Sequence, residues 1–386
     1  MSERLVRFDK LAIGLTPDLP DQTPDLWEDG RNVLFVDKGL QPLPGQIALT
    51  NTNLQVNAVC QINDLVFLGT STSVLVYSTS RNTITNVTSS ADHGNGQWSF
   101  VPYGNWMIGS HGGYVYIWKP GNDPESPPQF SLISDAPTGI KFLLKLKNFV
   151  IAVGNQYVYW CNDDDPELWT PDQDNLAGYL FIRDIRSDLV GGASNEDIAI
   201  ICSQKESVKL TYIGTPYVFG YKKIFEGAGV WNSKSITVVN NTFFGYGPNG
   251  IWASNGQSFS YIDKGSVNDT INAEFEISKA AFAYAGAWNI IQHIFFFVPT
   301  FTGTKCYGFN LINSKWTILN WDRVCSYKDI WVDSDGVVYL DDIKSSSSMT
   351  GTDGQMTLSE DAEGRLGFGS GKIEHQGFGG TLWFLV

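Results

Sequence analysis

Apolar and polar positions along the chain fall into one recurring unit. A polar start leads into a short apolar strand, a Gly or polar turn follows, and an aromatic-rich second strand ends the hairpin. Asn63-Asp64 opens LVFLG, and after a TSTS turn VLVY runs to Tyr77. Asn105 opens WMIGS, and after His111-Gly112-Gly113 the strand YVYIW ends at Trp118. The unit recurs from Asn148 to Trp160, Glu196 to Tyr212, Asn241 to Ser254 and Asn289 to Leu311, and a shorter copy, VVYL, ends at Leu340. Successive hairpins begin roughly 41 to 49 residues apart, close to the ~40–50 residues of a four-stranded propeller blade. Weaker strands, such as Gln129 to Ile133 and Phe259 to Asp263, lie between them.

A hairpin of this kind cannot bury both faces alone, so neighbouring copies must stack. The pattern predicts an all-β chain, a β-propeller of six or seven blades. The count depends on whether the two ends share a blade. Residues 1–50 read as an N-terminal arm with closing strands, 51–341 as the propeller, and 342–386 as a C-terminal extension docked on the propeller or on a neighbouring subunit. A pair of β-sandwiches is the other arrangement of such strands. WD40 and kelch signatures are absent, and no stretch shows the i, i+3, i+4, i+7 spacing of an amphipathic helix.

Composition adds compartment and charge. Thirteen Trp, 16 Tyr, 23 Phe and 39 Gly in 386 residues suit half-buried strands joined by tight turns. Forty acidic against 26 basic residues leave a net charge of −14. No basic run is present, and Lys141, Lys145 and Lys147 alternate with apolar residues as on the solvent face of a strand. Tight gripping of DNA needs clustered cations, so it is disfavoured. The first residues hold no apolar signal segment, and the run from Ile290 to Val298 is far short of a membrane span of ~20 residues. Cys60, Cys161, Cys202, Cys306 and Cys325 are odd in number and widely spaced, which reads as reduced, small apolar residues made in a cytoplasm.

Catalytic and cofactor motifs fail one by one. Gly364 to Ile373 lacks the spacing and the Ser/Thr of a phosphate loop, and no GxSxG elbow appears. His93, His111, His293 and His375 are never at metal-ligand spacing, and His111 reads as a turn residue. Asp163, Asp164, Asp165 and Glu167 lack the alternating ligands and central Gly of a calcium loop. They read as a solvated turn, and as the candidate loop facing a lumen or a partner. Asp333 to Val337 is out of register for the SxDxGxxW turn of sialidase-type propellers, and Arg183 and Arg186 alone fall between Arg81 and Arg323. The expectation is a non-enzymatic protein without metal or cofactor.

Four stretches carry a resemblance. The first is Leu15-Thr16-Pro17, then Asp25 to Gly39 (DLWEDGRNVLFVDKG), then Pro44-Gly45. The second is Val158 to Cys161, Asp165 to Pro171 and Asn175 to Gly178. The third is Glu206 to Leu210 and Gly214 to Phe219, followed by Gly229-Val230, and the fourth is Phe243 to Gly245 and Gly250 to Trp252. In this order, along roughly residues 12 to 255, the chain resembles the packaged-DNA stabilisation, or tail nozzle, proteins of short-tailed bacteriophages. The resemblance implies a propeller, a homohexameric ring below the portal and adaptor (head-to-tail connector) proteins, and a channel for the passing double-stranded DNA. It also implies contact with a tail fibre, spike or needle, and a place in the virion tail assembled in the host cytoplasm. An acidic conduit wall and aromatic-rich permanent interfaces agree with that reading. The alternatives are a propeller carbohydrate-binding module or glycosidase, whose paired carboxylates are a spatial property, and an intracellular interaction scaffold.

Overall fold

The structure is a computed structural model. It describes residues 15–18, 27–31, 33–36, 39–42, 46–90, 96–123 and 127–341, and the strands Gly354–Leu358, Lys372–His375 and Trp383–Leu385. The strands form a seven-bladed β-propeller. Six blades are antiparallel sheets of consecutive strands, within residues 56–86, 99–132, 142–181, 191–226, 236–261 and 284–319. The seventh takes three strands from 325–341 and its fourth, Gln46–Asn51, from ahead of the first blade. The two ends of the repeat do share a blade, and the count is seven.

The hairpins read from sequence are the second and third strands of their blades, for example Leu65–Thr70 with Val74–Ser78. Ahead of each runs an innermost strand, and these innermost strands touch in a closed cycle around the axis. That of blade four is hard to see in sequence, because close approach there admits only small residues. Gly191–Ser194 reads GGAS, and a Cβ added at Gly191 would lie 2.5 Å from the Asn232 carbonyl oxygen.

Both faces of a blade are buried by its neighbours. Ile200, Cys202, Phe243 and Trp252 pack between blades four and five, and Val66, Leu68, Ile330 and Val338 between blades seven and one. Full burial of such a side chain contributes roughly 1.5–3 kcal/mol. Exposed ion pairs contribute about 0–1 kcal/mol each, so blade stacking carries the fold. Close approach is achieved by seating tryptophans over glycine. A Cβ at Gly245 would lie 2.3 Å from the Trp252 ring, and one at Gly69 would lie 2.6 Å from Trp98.

One short helix, Asn268–Glu274, and a 3-10 turn, Ile277–Phe282, interrupt the all-β pattern between blades five and six. Asp18 of the arm accepts hydrogen bonds from the backbone N–H of Asp269 (2.7 Å) and Thr270 (2.9 Å) at the helix start. The arm also buries Leu34 and Phe35, and the Asn310 side chain donates to the Phe35 carbonyl at 2.8 Å. Strand Trp27–Arg31 joins the outer edge of blade six, and the three strands of the C-terminal segment continue that sheet. Ser345 to Ser348 and His93 lie outside the described residues.

The closing strand is fastened at a half-buried carboxylate. Asp341 accepts from Gln46 Nε2 at 2.7 Å and from Trp331 Nε1 at 3.2 Å, and Gln46 Oε1 accepts from Arg323 at 2.7 Å. Burial outweighs these donors and pushes the Asp341 carboxyl up to about 7. A carboxyl raised on folding holds its proton longer in the folded state than in the unfolded one. Its contribution to stability is therefore full below the unfolded pKa near 4 and is lost as pH rises to about 7. Asp341→Asn cannot titrate. Over pH 4 to 7 wild type should lose stability relative to this variant, by at most about 4 kcal/mol, and above pH 8 the gap should stay constant. Paired thermal melts across pH check this, and a gap that does not move with pH refutes it.

Candidate functional site

The acidic stretch lies in the long connection between the third and fourth strands of blade three, Tyr157–Trp160 and Gly178–Phe181. It folds as a tight turn. Asp164 takes a positive φ of 58°, a conformation that Asp tolerates better than most residues. Asp165 Oδ1 accepts from the Glu167 N–H at 3.1 Å, and Asn162 donates its N–H to the Leu168 carbonyl at 2.7 Å. Trp169 is buried just beyond, its indole donating to the Pro166 carbonyl at 2.8 Å.

Blade two holds the turn from outside. Lys119 pairs with Glu167. Asp135, in the connection from blade two to blade three, accepts from the backbone N–H of Trp169 (2.6 Å) and Thr170 (2.8 Å) and from the Thr170 hydroxyl. Asp164, Asp165 and Glu167 are exposed, and Asp163 is partly so. The turn thus exposes Asp164, Asp165 and Glu167, while Asp163 keeps one carboxylate oxygen buried without a hydrogen-bond partner, and none of the four lines the axial cavity. Sequence reasoning missed Lys119 and Asp135. They belong to another blade, and nothing in local spacing announces an inter-blade bond.

A cavity of about 420 Å³, partly open to solvent, lies at the axis. Innermost strands from around the circle line it, including Asn57, Ser99, Leu143, Gly192, Tyr284 and Ser326. No Asp or Glu is among the residues lining it. Lys234, just ahead of the innermost strand Ile236–Val239 of blade five, and Lys328 of blade seven supply its charge. Lys234 keeps some accessible surface inside the cavity yet is enclosed by protein, and this desolvation holds its ammonium below the usual lysine range. Among the described residues no hydrogen bond or ion pair reaches that ammonium.

No protein-family model matches the chain, and no curated protein matches it. Solved structures do. The computationally designed Ika8 protein matches at 11% identity with a TM-score of 0.46, over 78% of this chain and 100% of its own. The AfRom2 CNH domain matches at 10% identity with a TM-score of 0.48, also over 78% of this chain and 100% of its own. Identities this low bear on no residue of the site.

The remaining candidates sit in structural roles. His111 ends the second strand of blade two, buried and stacked on Trp98 at 4.5 Å, with Nε2 3.1 Å from the Ser71 carbonyl of blade one. His293 is buried in blade six, and burial lowers its pKa to about 4. All five cysteines are buried and unpaired, and burial pushes the thiols of Cys60, Cys161, Cys202 and Cys325 up to about 12. Asp333 caps its own turn, accepting from the N–H of Asp335 and Val337. Arg183 and Arg186 are exposed on the connection leaving blade three. Among the described residues no three His, Cys, Asp or Glu side chains are grouped to hold a metal ion, and no helix is long and apolar enough to cross a membrane.

Removing Asp135 leaves the Trp169 and Thr170 N–H groups without their acceptor, whereas removing Glu167 breaks only an exposed ion pair. Asp135→Ala should lower unfolding free energy by about 1–3 kcal/mol, and Glu167→Ala by less than about 1 kcal/mol. Equilibrium urea unfolding of the two variants checks the order, and equal losses would show that the Asp135 bonds do not hold the turn.

Proposed function

We propose that this chain is a structural subunit of a short-tailed bacteriophage tail, a nozzle or hub protein. Six copies form a ring below the portal and adaptor, enclose part of the DNA ejection channel and help retain the packaged genome. The observation that carries this reading is the order of the four matched stretches in one chain whose fold is a propeller. Their described residues fall on the arm that extends blade six, the acidic turn of blade three, the long hairpin of blade four and the central strands of blade five.

Surface chemistry supports the same reading. The densest lysine cluster is tied to carboxylates of the following connection and blade, Lys141 to Asp188 at 2.9 Å and Lys147 to Asp197 at 2.7 Å. Lys145 lies over the Tyr103 ring at 5.2 Å. A chain with net charge −14 whose densest lysine cluster is so occupied repels phosphate within a Debye length, about 8–10 Å at physiological salt. Such a wall lets DNA slide past instead of holding it. The axial cavity has the size of a small-molecule pocket, so the DNA path in this proposal runs between subunits and not through a propeller.

Ring assembly needs exposed apolar surface. The blade-four hairpin, Glu206–Gly214 with Val218–Glu226, carries Ile213 and Tyr217 at its tip, 57% and 74% exposed. This tip is the proposed contact to the neighbouring copy, and the spike, fibre or needle would dock on the assembled ring. The purified full-length chain, measured by native mass spectrometry with and without its adaptor ring, should form six-chain rings. The double variant Ile213→Asp, Tyr217→Asp should reduce ring formation more than tenfold while the propeller stays folded. A chain that stays monomeric with the adaptor present and is missing from purified particles would overturn the proposal.

A further inference from the structure

The axial cavity joins three features that point to a ligand. Its volume, about 420 Å³, lies within the roughly 300–1,000 Å³ of small-molecule sites. Its lining carries the Lys234 ammonium without a described partner and without any carboxylate to neutralise it. It also holds spare hydroxyl donors. Ser99 Oγ accepts from the Leu143 N–H at 3.0 Å, which leaves its own proton to donate, and Ser233 adjoins Lys234. Lys328 adds a second cation, 5.3 Å from the centre of the Tyr327 ring.

Lys234 is partly buried, and desolvating a cation without a counter-charge is costly. An anion would offset that cost. A nucleic acid duplex is too large for the cavity, and a cation would be repelled. We propose that the propeller axis binds a small oxyanion, a phosphate or a small carboxylate, held by Lys234 and by hydroxyl groups of the cavity lining. The site sits inside one chain, so it does not depend on the ring or on the tail assignment.

The test uses the full-length chain with inorganic phosphate and with citrate as separate probes, at constant ionic strength in chloride. Isothermal titration and thermal unfolding should both show saturable binding of at least one probe. Lys234→Met should weaken that binding at least tenfold, and Lys222→Met, at an exposed lysine of blade four, should leave it unchanged. Binding of phosphate alone or citrate alone supports the site and identifies which source fills it. If Lys234→Met does not fold, reductive methylation of wild type with peptide mapping replaces it, and the bound anion should slow Lys234 labelling at least fivefold. Absence of saturable binding by either probe, equal binding by the Lys234 variant, or labelling of Lys234 that the anion does not slow would each overturn the proposal.

Discussion

The structure depends on closing a circle. A blade is a small twisted sheet that cannot hide two apolar faces by itself, so each face must lie against another blade. Seven blades satisfy this only if the last meets the first. Blade seven is built from both ends of the propeller sequence, with strand Gln46–Asn51 paired along Val337–Asp341. Val66 and Leu68 of blade one can be buried against Ile330 and Val338 only when that sheet is complete. The buried aromatics, the glycines that admit them and the fastening at Asp341 follow from the same need.

What was legible in sequence was the part of each blade where packing leaves a periodic record. The second and third strands lie midway out, with blades on both faces, and they read as runs such as LVFLG and FVIAV. The innermost strand of blade four lies where seven strands converge, and there space rather than hydrophobicity selects the residue. GGAS does not read as a strand for that reason. The closing strand, QIALTN, is partly exposed along its length and pairs with a segment almost three hundred residues away. The helix 268–274 is too short to show a helical period, and Asp18, which accepts from its first N–H groups, is 251 residues away in the chain.

The candidate site divides in the same way. The carboxylates from Asp163 to Glu167 stood out as a charge run, and they do form one exposed turn. Their anchors, Asp135 and Lys119, stood out in no way, because an inter-blade bond has no sequence period. Lys234 was unreadable for a further reason. One lysine among apolar and small residues gains significance only once the fold encloses it. Asp164, Asp165 and Glu167 are displayed to solvent, and the Lys234 ammonium, without a partner among the described residues, is kept at the axis. The proposed conduit uses the first, and the proposed oxyanion site uses the second.

Native-state hydrogen exchange of the full-length chain tests the closed circle most directly. The account predicts that amides of the ladder between 46–51 and 337–341 exchange only with the same large opening as the innermost strands of blades one and six. Rapid exchange across that ladder while the other blades remain protected would contradict it, because the circle would then stand without its closing strand.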